Sequence, residues 1–248
     1  MRRAVCEAQQ PDIGHRMILS TYILACTPRW NLQMTSAFCL LVAALILSPT
    51  NCSAEEIQVS RFATDGLAGW ETKSFKGTTE YRLVKEEGRV VVRAASHVAA
   101  SGLVRKLRFD PAKYRYLRWS WKIAHTIKGG DEQSKAGDDY AARVYVLFPG
   151  QFFWQMKAIN YIWANRLDKG KFAPNAFTSN AKMVAVESGN EKAGQWLTEE
   201  RDLLADYRNL FGSDPREAGA IAIMTDTDNT GGSANAWYGE ITLSTEGR

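Results

Sequence analysis

From Glu55 to the end, the chain is cut into short runs of alternating polarity, each closed by a turn signal. The runs are Ile57–Phe62, Glu80–Val84, Arg89–Ala95, Gly102–Phe109, Tyr116–Ala124, Tyr140–Phe148, Ala158–Ala164, Lys182–Glu187, Trp196–Asp202, Gly219–Thr225 and Ala236–Leu243. Between them stand Gly66 and Gly69, Glu87-Gly88, Asp110-Pro111, Gly129-Gly130-Asp131, Pro149-Gly150, Ser188-Gly189-Asn190 and Gly231-Gly232. Short strands punctuated this way predict an all-β fold, an antiparallel β-sandwich or barrel. With no repeat, low-complexity tract or long linker, residues 55–248 are expected to form a single β-sandwich domain.

Two strands declare their faces. In Leu117-Arg118-Trp119-Ser120-Trp121-Lys122-Ile123 a period of two puts Leu117, Trp119, Trp121 and Ile123 on one side. In Ala142–Phe148, Val144, Val146 and Phe148 share one face, while Arg143, Tyr145 and Leu147 share the other. That partly aromatic second face points either to burial on both sides or to a binding surface. One short helix is expected near 202–211, where Leu203, Tyr207 and Leu210 recur at helical spacing and Gly212 supplies a stop.

The amino-terminal segment, residues 1–54, reads as a leader. Ala37–Leu47 is an uninterrupted apolar run of 11 residues, well short of the roughly 20 that a membrane span requires. Ser48-Pro49 breaks it, and Cys52-Ser53-Ala54 supplies small residues ahead of Glu55. The expected product is a periplasmic or secreted protein, cleaved near Ala54 and without a transmembrane span in its mature form. Acylation at Cys52 is the less favoured alternative, and Met17 and Met34 are alternative starts. All four cysteines (Cys6, Cys26, Cys39 and Cys52) fall in this segment, so the domain has no disulfide, thiolate metal site or cysteine nucleophile. The formal net charge of +4 falls to +2 once Arg2, Arg3, Arg16, Arg29, Glu7 and Asp12 are set aside. Nothing resembles the basic stripe of a nucleic-acid binder.

Two acidic elements invite a chemical reading. Asp138-Asp139 precedes a strand that carries Arg143. Adjacent carboxylates need compensation, from a hard cation or from a guanidinium that can hold a carboxylate. The second element, Asp226-Thr227-Asp228-Asn229-Thr230-Gly231, begins like a calcium loop, but its twelfth position is Trp237 where a bidentate Glu is needed. Asp226 and Asp228 are therefore candidate calcium ligands, Asn229 is a candidate hydrogen-bonding group, and a plain polar turn is the competing reading. If the two elements meet at one end of the sandwich, four carboxylates converge.

Trp is the usual platform for a sugar ring, although large aromatics sit in cores more often. Trp119 and Trp121 are assigned to the core. Trp154, in the loop after Pro149-Gly150, and Trp163 are kept as platform candidates beside Trp196 and Trp237. His97 and His125 are isolated, and there is no G-x-S-x-G, G-x-G-x-x-G or P-loop sequence.

The stretch Lys135–Phe148, with Ser101-Gly102-Leu103, Trp119-Ser120-Trp121, Tyr161-Ile162-Trp163, Asp206, Phe211-Gly212 and Thr225–Gly231, resembles the bacterial family called domain of unknown function 3047. The likeness runs in order over most of Phe62–Leu243. It implies an exported, single-domain sandwich similar to jelly-roll carbohydrate-binding modules, and it carries over no catalytic residue. The expected function is binding of a saccharide or cell-envelope glycan through Asp138, Asp139, Arg143, Tyr145, Trp154, Trp163 and Asn229, with calcium at Asp226 and Asp228. The competing readings are a glycan hydrolase or lyase using the loop carboxylates, and an envelope scaffold that binds another protein.

Overall fold

The structure is a computed structural model that describes residues 54–248. The expected leader up to Ser53, with its cysteines, lies outside the described residues. The strands are β1 (Glu56–Gln58), β2 (Trp70–Lys76), β3 (Glu80–Glu86), β4 (Arg89–His97), β5 (Ala100–Phe109), β6 (Tyr116–Ile123) and β7 (Arg143–Phe148). They continue as β8 (Lys157–Ala164), β9 (Phe172–Pro174), β10 (Ala181–Ser188), β11 (Leu197–Asp202), β12 (Ala218–Asp226) and β13 (Ser233–Ser244). A single α-helix among the described residues, α1 (Leu203–Phe211), joins β11 to the approach of β12.

The strands form two sheets. The first runs in the order β11-β6-β13-β4-β3, with β1 also paired to β13; the second runs β2-β5-β12-β7-β8-β10-β9. Alternation decides which side chains meet between them. Leu117, Trp119, Trp121 and Ile123 of β6 face Val144, Val146 and Phe148 of β7, Ile159, Tyr161 and Trp163 of β8, and Ile221 and Ile223 of β12 in one core. Trp119 meets Trp121 edge-on at 5.5 Å and Tyr161 at 5.2 Å, so both tryptophans of β6 are core residues as expected. Such aromatic pairs add about 0.5–1.5 kcal/mol beyond the area they bury.

The opposite face of β6 is charged yet largely covered. Arg118 Nε donates to Glu200 at 2.9 Å, Lys122 pairs with Glu86, and the Lys122 ammonium lies 4.6 Å from the Trp237 ring. These pairs let two basic residues lie flat on the sheet.

The sandwich departs from strict antiparallel pairing once, because β8 and β10 run parallel. A parallel pair needs a crossover long enough to retrace a strand. Residues 165–180 provide it, with β9 pairing antiparallel to β10 on the way. Tyr140, Ile162, Ala164, Met183 and Ala185 form a second, smaller apolar cluster with Leu167 of this crossover packed against it.

Two strands escaped the sequence pattern. β2 is an edge strand whose residues after Trp70 are all exposed, so it has no apolar alternation to read; β9 is three residues ending at a proline. β7 begins at Arg143 rather than Tyr140, since the Tyr140 and Ala142 carbonyls bond to Asp226 and Trp163 outside the regular ladder.

Candidate functional site

On the second sheet, the face turned away from the core is a trough. Its floor comes from the outward positions of four adjacent strands: Gly102 and Val104 of β5, Ala222 and Met224 of β12, Tyr145 and Leu147 of β7, and Ala158 and Asn160 of β8. Small residues keep it deep. At Gly102 a Cβ would lie 2.8 Å from the Ile223 carbonyl oxygen, so this position admits no side chain without moving the backbone. Phe75 from β2, Met156, and Asn175, Phe177 and Thr178 from the crossover make the walls. Two adjoining cavities, of about 440 and 410 Å³, share Phe75, Tyr145, Leu147 and Met224.

The larger cavity has a polar end. Arg143 pairs through Nη2 with the buried Asp226 carboxylate and lies between the Tyr140 ring at 4.7 Å and the Tyr145 ring at 5.3 Å. Its Nη2 and the Tyr145 hydroxyl also reach Met224 Sδ, at 3.4 and 3.3 Å. Burial pushes the Asp226 carboxyl up to about 8 against the pull of Arg143, and the nearby Asp139 and Asp138 add to the rise. Asp138 accepts from the Tyr140 hydroxyl at 3.1 Å and from Asn175 Nδ2 at 2.9 Å. Two buried polar atoms among these lining side chains have no partner, the Arg143 Nε–H donor and the Asn160 Oδ1 acceptor.

Behind this end, carboxylates hold loops in place. Asp139 is wholly buried and accepts from the Thr230 N–H at 2.6 Å, the Thr230 hydroxyl at 2.7 Å and the Asn229 N–H at 3.2 Å. Glu132 anchors a second loop in the same way, accepting from the N–H groups of Asn165 at 2.5 Å and Leu167 at 3.1 Å, with Arg166 between them. Asn165 then donates from Nδ2 to the Asp139 carbonyl at 2.8 Å. These charge-assisted bonds fix the ends of the two segments that meet at the trough.

The two acidic elements therefore do converge. Asp138, Arg143, Tyr145, Asp226, Asp228 and Asn229 line one cavity. The expected compensation by Arg143 goes to Asp226, not to its neighbours Asp138 and Asp139. Asp139 stands behind the cavity as a loop anchor. Trp163 requires a correction. It is wholly buried against Trp121 at 5.8 Å, its indole N–H donates to the Gly189 carbonyl at 2.9 Å, and it offers no surface to a ligand. Trp154 is 59% exposed and stacked on Phe152 at 4.8 Å, but it does not line the trough. The sequence reading missed Phe75, Asn160, Asn175 and Phe177. Isolated polar and aromatic residues on an edge strand, an inner strand and a crossover carry no motif that would single them out.

Carboxylate oxygens of Asp139, Asp226 and Asp228 lie within 4.8 Å of one another and are the described residues able to hold a metal. Each already has a counterpart: loop N–H groups for Asp139, Arg143 for Asp226, and Lys76 at 3.8 Å for Asp228. In a calcium loop oxygens converge on the ion, whereas here the 229–230 backbone turns N–H donors toward a carboxylate. The same occupancy bears on acid–base chemistry, because an anchored Asp139 and an ion-paired Asp226 are poorly placed to exchange protons with a substrate.

Among the described residues no helix is long and apolar enough to cross a membrane. No curated protein matches the sequence. Among solved structures, the family 11 carbohydrate-binding module of the cellulosomal cellulase Lic26A-Cel5E of Clostridium thermocellum is similar at 11% identity, covering 77% of this chain and 94% of its own, with a TM-score of 0.42. The family 30 module of the cellulase Cel9D-Cel44B of the same organism is similar at 12% identity over 78% of this chain and 99% of its own, with a TM-score of 0.45. Endoglucanase Cel12A of Rhodothermus marinus shows 9% identity over 77% and 99%, with a TM-score of 0.38. Each is a likeness of fold alone. The family model described as Protein of unknown function (DUF3047) matches residues 68–242, most of the described chain, and the protein belongs to that family.

Proposed function

We propose that this domain binds a saccharide at the polar end of the trough, as an exported protein whose leader is residues 1–54. The reading rests on the polar side chains of Arg143, Asn160, Asp228 and Asn229 gathered with aromatic rings around one cavity. A hydroxyl group both donates and accepts, so a polyhydroxylated ligand matches a lining of mixed donors and acceptors. Tyr145, Phe75 and Phe177 supply ring faces beside it, and Asp138 and Asn175 supply further polar contacts. A trough with a few convergent polar groups on an otherwise apolar wall is the usual form of a small-ligand site.

The test is thermal melting of the protein against a panel of oligosaccharides, for wild type and Asn160→Val. A ligand at 100 times its Kd adds about 2.7 kcal/mol and raises the midpoint by several degrees. The expected result is a saccharide-specific rise in wild type and its loss in Asn160→Val. No rise with any saccharide would sink the reading and favour a protein partner. Calcium joins the panel as its own arm. A rise abolished by chelator, and lost in Asp228→Asn, would assign the ion to Asp226 and Asp228.

A further inference from the structure

The trough is not polar throughout. Beyond Tyr145 and Leu147 it continues over β12, β5 and β2, where the smaller cavity is lined by Val104, Leu147, Ala222, Met224 and Met156. This floor is aliphatic, and aliphatic side chains make no flat platform for a sugar ring. The two cavities share four lining residues, so a single ligand can lie across both. Together they span the strands from β2 to β10, roughly 24 Å at about 4.8 Å between neighbouring strands. At the walls, Phe75 and Phe177 are 68% and 57% exposed and Met156 is 46% exposed, large apolar groups left facing water around this one groove. Exposed apolar surface gathered at a groove marks a place where another apolar surface is received.

We infer that the ligand is a saccharide bearing an aliphatic chain, its hydroxyls at the polar end lined by Asp138, Arg143 and Asn175 and its chain over Val104, Ala222 and Met224. The inference rests on the saccharide reading and adds to it the chemistry of the second half of the trough. Continuity with the polar end is what selects this occupant. A sugar-free alkyl chain would set methylenes against the polar side chains of Asp138, Arg143 and Asn175, and a plain oligosaccharide would set most of its hydroxyls against the aliphatic floor rather than the exposed Thr72, Lys73 and Lys106 at its edge.

The test compares glucose, galactose, N-acetylglucosamine and maltose with the dodecyl glycoside of each, below the concentration at which micelles form, and with dodecanoate. Titration calorimetry is the readout. At least one dodecyl glycoside is expected to bind tenfold or more tightly than its own free sugar, a gain that about two buried methylenes supply. Ala222→Phe, which fills the aliphatic floor, is expected to remove that gain and leave the free-sugar affinity unchanged. Val104→Phe repeats the test from the neighbouring strand should the first variant fold poorly. Equal affinity for sugars and their dodecyl glycosides, or a gain that survives both filled variants, overturns the inference and leaves the saccharide reading standing. Dodecanoate binding as tightly as the best glycoside overturns both, and so does an absence of binding by every probe.

Discussion

Arg143 and Asp226 stand 83 residues apart in the chain and share one buried pair at the polar end of the trough. Removing one member of such a pair leaves the other without a counter-charge, which costs about 3–5 kcal/mol, whereas replacing both by apolar groups of similar size is often close to neutral. Asp226→Ala is therefore expected to lower stability by about 3–5 kcal/mol in urea denaturation, and Arg143→Met with Asp226→Leu to lower it by much less. If the double variant loses as much as the single, the pair stabilises the fold outright and the site has no excess of buried charge. At this scale the sequence showed the residue types but not their partners. Asp138, Asp139 and Arg143 are neighbours in the chain, and only the placing of β12 beside β7 hands Arg143 to Asp226.

Helix α1 was legible because its signals are local. Asp202 accepts from the Ala205 N–H at 3.0 Å, and Gly212 takes the left-handed φ of 67° that ends the helix, its N–H bonding to the Arg208 carbonyl at 2.9 Å. Asp202→Ala is expected to cost about 1 kcal/mol, and Asp202→Asn, which caps equally well, to recover most of it. Partial burial works to raise the Asp202 carboxyl, but the Arg115 guanidinium and the capping N–H groups outweigh it and hold the carboxyl below its ordinary value. A carboxyl lowered in the folded state contributes stability above its unfolded pKa and loses it as pH falls through the folded one. Acid titration of the melting midpoint should therefore fall less steeply for Asp202→Asn than for wild type. An identical acid limb would show that neither Arg115 nor the capping N–H groups lower this carboxyl. The crossover between β8 and β10 was illegible for the opposite reason. Its course depends on a parallel pairing that no local residue announces, and it brings Asn175 and Phe177 to the trough.

Across the whole molecule, burial separates residues of the same type. Trp163 fills the core between the sheets and Trp154 lies on the surface. Truncating a buried aromatic costs about 3–5 kcal/mol, and an exposed substitution usually stays within about 0.5 kcal/mol. Trp163→Ala should accordingly destabilise severely and Trp154→Ala hardly at all, as read from chemical denaturation midpoints. A large loss for Trp154→Ala would mean that the loop after Pro149-Gly150 helps to hold the fold.

Strand rhythm, the inward face of β6 and the limits of α1 were determined by the sequence itself, because a period of two, a capping carboxylate and a left-handed glycine act through bonds and neighbours a few residues away. The order of strands in the sheets, the inward turn of Trp163, the meeting of Asp226 with Arg143 and the trough itself were decided only by the tertiary structure. Each depends on which distant strands pair, and that choice is made by burying the faces of both sheets at once, not by any one segment.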